Sequence, residues 1–404
     1  MTCDLKSTEC ISCGRNSVTA SLDLGMQPPS NRYTQAGTVD KQSHALTFGQ
    51  CTSCALIQLV KPMPSEMMRS RYEWVTYNEP EDHLDQMVDR LIHVLRPLPN
   101  SRIIGLTYKD DSTLMRFNKR GFSNTYSLRI KEDLMIDEPF AGLESITDAL
   151  TAEIISALDQ KHGRADILIV RHALEHSYKP REILDAFAHL VKPDGCIVFE
   201  VPDSSGFLKH HEYNFIWEEH ISYFTPTTLP RLLQGAGFEC LLVKSFEYTL
   251  EDSIIALVRL GLANLPTTMP GNEELLLGTI CESNFVRERA YWCRTLSELR
   301  RKGERIAIFG AGHLAAKFLN FFDLTPVVEC VIDDNPNKIG LCMPGSALPI
   351  LPSTILNDGK IDLCLLALNP ASEAKVTATH HGYIAKGGKF RSIFSRSPIA
   401  FKNS

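Results

Sequence analysis

The chain has 404 residues, of which 44% are hydrophobic and 22% are charged, and its formal net charge is −6. A single core rarely extends beyond about 300 residues, so two or three domains are expected. The acidic balance excludes the broad basic surface that binding to nucleic acid or to an anionic membrane would need.

Targeting signals and cysteine content indicate the compartment. The N-terminus lacks the basic and then apolar pattern of a secretory signal, and the longest apolar stretches, residues 167–170 and 363–368, have the length of strands. We therefore expect a cytoplasmic protein without a membrane segment. In that compartment the 12 cysteines are better interpreted as metal ligands and buried thiols than as a disulfide framework.

Two Cys-x-x-Cys pairs stand near the N-terminus, Cys10 with Cys13 and Cys51 with Cys54. Each pair can present two thiolates to one metal ion, and four sulfurs complete the tetrahedral set that Zn²⁺ prefers. A redox-active pair and a chance clustering of thiols are the alternatives. Since the intervening residues are rich in Gly and Pro and could not bury a core alone, the zinc is assigned a structural role.

Helix and strand patterns alternate through the middle of the chain. The apolar periodicity of residues 84–95 predicts a helix that ends before Pro97, and residues 102–105 and 124–129 predict two strands. Three further elements follow, a buried strand at 165–170, an amphipathic helix at 180–190 and a strand at 195–202. This alternation predicts a parallel, doubly wound sheet.

Ligands of such sheets bind beyond the carboxyl ends of the strands. Residues 105–111, 171–176 and 201–205 therefore become the candidate loops of the site. Residues 241–248 predict a closing strand, followed by a polar loop at 251–253. His210, His211 and Glu212 could suggest a metal site, but adjacent side chains point in different directions, which argues against it.

A second α/β unit follows a break at Pro266, Pro270 and Gly271 and a long predicted helix at 272–301. Its strand at 305–309 runs into a Gly-x-Gly turn whose free N–H groups could meet phosphate. The residues that we expect in this nucleotide site are Gly310, Gly312, His313 and Lys317 in the turn and helix, Asp333 after a strand at 327–332, and Asn369 after a strand at 361–368.

Four runs in the middle region carry a resemblance to a known family. They are residues 166–176, 190–195, 199–203 and 216–225, the last reading Ile-Trp-Glu-Glu-His-Ile-Ser-Tyr-Phe-Thr. In order and spacing they resemble the S-adenosylmethionine (SAM) dependent sugar C-methyltransferases of deoxysugar pathways. The resemblance also covers the cysteine cluster and the C-terminal unit. It implies an α/β fold in which a central Rossmann-like methyltransferase domain lies between a small zinc domain and a half-Rossmann domain.

The first loop departs from the usual SAM site, which has a glycine-rich turn and then an acidic residue for the ribose. Here the loop has only Gly105, and Arg129 stands near the expected acid. The resemblance implies SAM as cofactor. The residues that it places there are Gly105, Asp110 and Asp111 in the first loop, and His172 and Glu175 in the later one.

Methylation beside a ketone needs a base that removes a proton from carbon, and histidine has a suitable pKa, about 6.5. The resemblance places this base at His220, the neighbouring carboxylate at Glu219 and a pocket aromatic at Trp217, with Glu218 in place of the motif's first histidine. It also implies a pocket tyrosine at Tyr72, with Tyr77 as a substitute. Without the resemblance, residues 218–220 would be interpreted as a solvated turn.

The predicted function is methyl transfer from SAM to a ring carbon next to the keto group of a nucleotide-linked deoxysugar, in a monomer or homodimer. A non-catalytic or repurposed scaffold and another small acceptor are the alternatives, and an NAD-binding C-terminal unit is a further one. The predicted domains are a zinc domain at 1–70, a methyltransferase domain at 71–270, and a linker helix with a substrate-binding domain at 271–404.

Overall fold

The computed structural model describes residues 8–38, 40, 42–72, 79–138, 141–248, 250–261 and 268–403. Tyr77 lies outside these ranges. The N-terminal elements are β1 (Thr8–Glu9), β2 (Asn16–Gln27), β3 (Thr34–Gln35), β4 (His44–Cys51), β5 (Ile57–Leu59) and α1 (Ser65–Met68). Strands β1, β2, β4 and β5 form an antiparallel sheet in which Val18 lies opposite Cys51.

The central region contains a six-stranded sheet in the order β11-β12-β9-β8-β6-β7. The strands of the central region are β6 (Ile103–Gly105), β7 (Thr125–Ser127), β8 (Ala165–Arg171), β9 (Val191–Pro202), β10 (Ser222–Tyr223), β11 (Phe238–Phe246) and β12 (Ser253–Leu260). All of them except β10 belong to this sheet. Its helices are α2 (Leu84–Leu95), α3 (Asp111–Lys119), α4 (Ile130–Leu134), α5 (Leu143–Asp148), α6 (Ala152–His162), α7 (Pro180–Leu190), α8 (Ser205–His210) and α9 (Thr228–Gly235). Strands β7, β6, β8 and β9 are parallel, whereas β12 and β11 are antiparallel.

Residues of β8 alternate between two cores. Leu168 and Val170 belong to the apolar cluster on one face of the sheet, and Ile167 and Ile169 belong to the cluster on the other face. A strand covered on both faces carries a continuous apolar run, which is the pattern that predicted it. The predicted α/β class is confirmed, but β12 was missed because residues 251–253 were interpreted as the end of the sheet.

The C-terminal region is a parallel sheet in the order β16-β14-β13-β17-β18. The strands of this region are β13 (Ile306–Phe309), β14 (Cys330–Ile332), β15 (Leu341–Cys342), β16 (Ile350–Leu351), β17 (Leu363–Leu366) and β18 (Lys389–Ser392). All of them except β15 belong to the parallel sheet. Its helices are α10 (Asn272–Leu275), α11 (Leu277–Arg301), α12 (His313–Phe321), α13 (Pro370–Thr379) and α14 (His381–Ala385). The single predicted helix at 272–301 is thus two helices that meet at Leu276.

The N-terminal sheet touches both larger regions. Strand β10 of the central region pairs with β5, and β15 of the C-terminal region pairs with β3. The N-terminal region with the predicted zinc ligands, called the zinc region below, therefore connects the two α/β regions. The domain limits at residues 70 and 270 stay a prediction. None of the described helices has the length and apolar character that crossing a membrane requires.

Candidate active site and zinc centre

The four N-terminal cysteines converge on one point. Cys10 Sγ lies 3.5 Å from Cys54 Sγ, and Cys13 Sγ lies 3.7 Å from Cys51 Sγ. All four sulfurs lie within 4.8 Å of one another. Zinc–sulfur bonds of about 2.3 Å in a tetrahedron need sulfurs about 3.8 Å apart, so this set fits Zn²⁺.

A cavity of about 1010 Å³ opens where the three regions meet. The carboxyl ends of β8, β13 and β17 reach it, and the N-terminal region adds Tyr33 and Tyr72. Predicted site residues that line it are Tyr72, His172, Glu175, Trp217, Glu219, His220, Gly310, Gly312, His313, Asp333 and Asn369. Ligand sites at the carboxyl ends of parallel strands are the general rule, and here two sheets share one cavity.

The first loop contacts the cavity through residues that were not predicted. Tyr108 and Lys109 line it, whereas Gly105, Asp110 and Asp111 do not. Lys109 Nζ pairs with both carboxylate oxygens of Glu79, each at 2.7 Å. A lysine in the place of a glycine carries no signal of the usual SAM loop, which is why sequence reasoning missed it.

The predicted cofactor contacts of Asp110 and Asp111 need correction. Asp110 is fully buried and accepts hydrogen bonds from the backbone N–H groups of Thr107 and Arg171, each at 2.9 Å. Burial raises the pKa of Asp110 to about 7 despite these bonds. Its carboxyl group braces the loop, and Asp111 is an exposed residue that begins α3.

Gly105 also has a packing role. A Cβ at this position would lie 2.7 Å from Asp110 Cβ and 3.0 Å from Leu114 Cδ1. The glycine therefore lets the loop fold back onto α3, and the predicted approach of a cofactor to it is not required. Arg129 is exposed and does not line the cavity.

A buried charge cluster follows β8. The imidazole of His172, a residue with φ of +50°, lies 3.5 Å from Glu175 Oε1 through Nδ1 and 3.4 Å from Glu200 Oε1 through Nε2. Burial lowers the pKa of His172, but Glu79, Glu175 and Glu200 outweigh this and raise it to about 10. Arg171 and His83 also contact Glu200, so burial is outweighed there too and the pKa of that carboxyl stays well below its usual range.

Glu175 supplies the test of whether a cationic cofactor fits. Its side chain is 1% exposed and lines the cavity. Its Oε1 forms the ion pair with His172 at 3.5 Å, but among the described residues its Oε2 has neither a hydrogen bond nor an ion pair. A buried carboxylate oxygen without such a partner is costly unless a cation or donor approaches it. The sulfonium and ammonium groups of SAM would meet that need, so the cavity fits this cofactor.

The segment after α8 brings the predicted residues Trp217, Glu219 and His220 to the cavity, where a ring nitrogen of His220 lies within 4.8 Å of a carboxylate oxygen of Glu175. The ring centroid of His220 lies 5.0 Å from that of Trp217 and 4.9 Å from that of His176. The backbone N–H of Ile221 donates to Glu175 O at 2.7 Å, which ties this segment to the loop after β8. Burial, with smaller contributions from neighbouring basic groups such as His172 and Lys109, lowers the pKa of His220 well below 6.5 and keeps the imidazole neutral.

Glu219 does not orient His220 through a direct bond. Across the part of the chain that the structure describes, no hydrogen bond joins the two side chains, and Glu219 lies instead within 4.8 Å of Glu144 and His176. Burial and the charges of Glu144 and Glu218 raise the pKa of Glu219 well above 4.5, which favours the protonated carboxyl group. The cavity thus holds a carboxyl group shifted toward its acid form beside a histidine shifted toward its neutral form. His176, which donates to or accepts from Glu144 Oε1 at 2.7 Å, completes the cluster.

The C-terminal turn forms another part of the wall. Gly310 has φ of +101°, and a Cβ there would lie 2.6 Å from Leu368 Cδ2, so glycine is required. Asp333 accepts from Ala311 N at 2.9 Å and from Lys338 Nζ at 3.2 Å. Its carboxylate therefore fixes the turn while facing the cavity.

Two of the predicted substrate residues have structural partners. Lys317 is 1% exposed, pairs with Glu218 and does not line the cavity, so its predicted contact with substrate is wrong. Asn369 lines the cavity, but its Oδ1 accepts from Ser372 N at 2.8 Å and caps α13. By contrast, His313 stacks on Trp217 with ring centroids 4.4 Å apart and planes 11° apart.

The alternative metal motif is not assembled. Glu212 pairs with Arg396 at 2.9 Å, and neither His210 nor His211 belongs to a metal-competent cluster among the described residues.

Three family models match successive parts of the chain. A zinc binding domain matches residues 10–68, a methyltransferase domain matches residues 128–243, and a C-methyltransferase C-terminal domain matches residues 282–394. The chain is also 22% identical to the C-methyltransferase NovU of Streptomyces niveus, over 95% of this chain and 94% of that protein.

Two solved structures are similar over less than half of the chain. One is the 1,6-didemethyltoxoflavin-N1-methyltransferase of Burkholderia thailandensis with bound S-adenosylhomocysteine (14% identity, TM-score 0.31, 45% of this chain and 79% of that chain). The other is a SAM-dependent methyltransferase of Anabaena variabilis (13% identity, TM-score 0.32, 44% of this chain and 85% of that chain). The three family models and the NovU relative confirm the predicted order of the three parts and a methyltransferase, and the zinc binding domain with its four converging cysteines confirms the predicted Zn²⁺.

Proposed function

We propose that this chain, a SAM-dependent methyltransferase with the three-part organisation of the C-methyltransferase family, methylates a ring carbon next to the keto group of a nucleotide-linked deoxysugar. One observation carries the proposal. A neutral histidine, His220, lies in one cavity with the buried carboxylate of Glu175, whose Oε2 has no hydrogen-bond partner among the described residues, and with the Gly-x-Gly turn at residues 310–312.

The proposed positions of the two ligands follow from the walls of the cavity. Glu175, together with Glu79 and Lys109 nearby, would hold the charged methionine part of SAM, which supplies the methyl group. In the turn, the backbone N–H groups of Gly310 and Ala311 donate to Ile332 O and Asp333 Oδ2, so a diphosphate would be held at the start of α12, where Gly312 is the N-cap. The sugar between them would then lie beside His220.

The chemistry of each side chain follows from its protonation state. A neutral His220 has a free lone pair and can accept the proton from the carbon next to the ketone. A protonated Glu219 can donate a hydrogen bond to the enolate oxygen as negative charge develops on it. SAM, when bound, would supply the methyl group that this carbon takes up, and the proton removed from the carbon would stay on His220 until solvent removes it.

Methyl transfer can be tested with the zinc-loaded protein, SAM and a panel of nucleotide-linked keto-deoxysugars. The proposal expects a product with one added methyl group, located on a ring carbon by NMR. A methyl group on oxygen or nitrogen would contradict carbon methylation. Transfer to a keto acid but to none of the sugars would contradict the acceptor class and support the alternative of another small acceptor.

A further inference from the structure

Glu218 occupies the point where all three regions meet. Its Oε1 accepts from Ser30 N at 2.5 Å, and its Oε2 accepts from Ser30 Oγ at 3.3 Å. The same Oε2 lies 2.5 Å from Lys317 Nζ of α12. Glu218 and Lys317 are each 1% exposed, so a residue of the central region forms a fully buried ion pair with the C-terminal region.

A second contact lies directly beside this pair. Trp217, the residue before Glu218, stacks on His313, which precedes Lys317 by four residues on α12. Residues four apart lie on the same face of a helix. Trp217 and Glu218 stand directly before Glu219 and His220, and they therefore both pack against one face of α12.

The two ends of this docked unit face the cavity. On one side, Glu219 and His220 follow Glu218 directly along the chain. On the other side, α12 begins at the Gly310–Gly312 turn, which is the proposed site of the nucleotide. The distance between base and nucleotide is therefore set by the contact of Trp217 and Glu218 with His313 and Lys317.

A buried ion pair is a costly way to gain stability, because apolar residues of similar volume often do as well. What it does provide is a directional contact that tolerates little displacement. A shift of about 1 Å between catalytic groups can lower a rate by about 100-fold.

We infer that Glu218 and Lys317 are positioning residues that hold His220 in register with the nucleotide-binding turn. This inference rests on the proposed function. Neither residue is assigned a contact with the substrate, and both act through the segment that carries the base.

The test compares Lys317→Met and Lys317→Arg in the zinc-loaded full chain. We expect Lys317→Met to lower kcat for methyl transfer by about 100-fold while the Kd for SAM stays within about 2-fold, because the SAM-side residues are not part of the pair. Lys317→Arg keeps the charge and should recover most of the rate. A double variant, Glu218→Gln with Lys317→Met, should be faster than Lys317→Met alone, because the lone buried carboxylate is removed.

Glu212→Gln is the matched control. It breaks another ion pair between the central and C-terminal regions, at 2.9 Å between the buried Glu212 and the half-buried Arg396, outside the cavity. It should lower the melting temperature without lowering kcat.

Each outcome is decisive. Lys317→Met with wild-type kcat, or with a loss of kcat no larger than that of Glu212→Gln, would overturn the inference. If Lys317→Met does not fold, the single variant Glu218→Gln decides, because a purely structural pair predicts a lower melting temperature with unchanged kcat, whereas a positioning pair predicts a lower kcat with unchanged Kd for SAM. Failure of the wild-type protein to methylate any sugar would instead refute the proposed function.

Discussion

The ring of His313 lies flat against the indole of Trp217, with centroids 4.4 Å apart and planes at 11°. The sequence motifs assigned these residues to different tasks in different domains, the catalytic pocket and the nucleotide site. Because the two rings touch, the predicted catalytic pocket and the predicted nucleotide site lie on one wall of the same cavity. Predictions about the cofactor, the acceptor and the base can therefore be tested independently on separate residues of that wall.

Glu175→Gln should weaken SAM binding by about tenfold, which corresponds to about 1.4 kcal/mol. Its Oε1 is paired with His172, but its Oε2 has no hydrogen-bond partner among the described residues, so a cationic ligand can gain from the charge on this oxygen. S-adenosylhomocysteine lacks the sulfonium charge and should be affected less. Isothermal titration of both ligands checks this, with the exposed Asp111→Asn as a control that binds normally. Equal affinities of Glu175→Gln and wild type for SAM would contradict the assigned site.

Removing the metal should affect the active site as well as the zinc region. Cys54→Ser removes one of four converging sulfurs, and β3 and β5 connect the zinc region to both α/β regions. The variant should bind substoichiometric zinc, melt about 10 °C lower or more, and lose most activity. Metal analysis and thermal unfolding measure this, and Cys240→Ser, outside the cluster, should keep one zinc. A stable, active and zinc-free Cys54→Ser would show that the cluster is dispensable.

Gly312→Ala should raise the acceptor KM by about tenfold with no loss of stability. The position has φ of −114°, and an added Cβ would meet no atom of the described residues within 4 Å, so we expect a bound ligand to be what it clashes with. Gly271→Ala, equally unobstructed and away from the cavity, is the control for acceptor kinetics. An unchanged KM for Gly312→Ala would mean that the nucleotide binds elsewhere.

The pH dependence of kcat/KM should reflect two groups with opposite shifts. Protonation of His220 removes its lone pair, and its lowered pKa means that activity falls only at pH values well below 6.5. The pKa of Glu219 is raised well above 4.5. Activity should therefore also fall as the pH rises through this raised pKa, because the carboxyl group then loses the proton that makes it a hydrogen-bond donor. Glu219→Gln, which keeps a donor, should remove the alkaline decline alone. An alkaline decline that persists in this variant would assign that limb to another group.

Periodicity and motif order predicted most of the fold, because strands such as β8 are covered on both faces and therefore carry continuous apolar runs. Strand β10 could not be predicted, since Ser222–Tyr223 is only two residues long and pairs with β5, far away in the chain. At the site, the motifs indicated His220 and Glu175. They could not indicate Lys109, whose position depends on Glu79, or the tertiary pairing that buries Lys317 against Glu218.

The central claim is that His220 removes a proton from the carbon next to the acceptor's ketone. This step can be measured without methyl transfer. The zinc-loaded protein is incubated in deuterated water with the unmethylated nucleotide-linked sugar and with S-adenosylhomocysteine, which has no methyl group to transfer. We predict that deuterium replaces the proton at that carbon, as seen by NMR, with the wild-type protein and not with His220→Gln. Both proteins should bind S-adenosylhomocysteine equally. Exchange at the same rate in both proteins would contradict the assignment of His220 as the base.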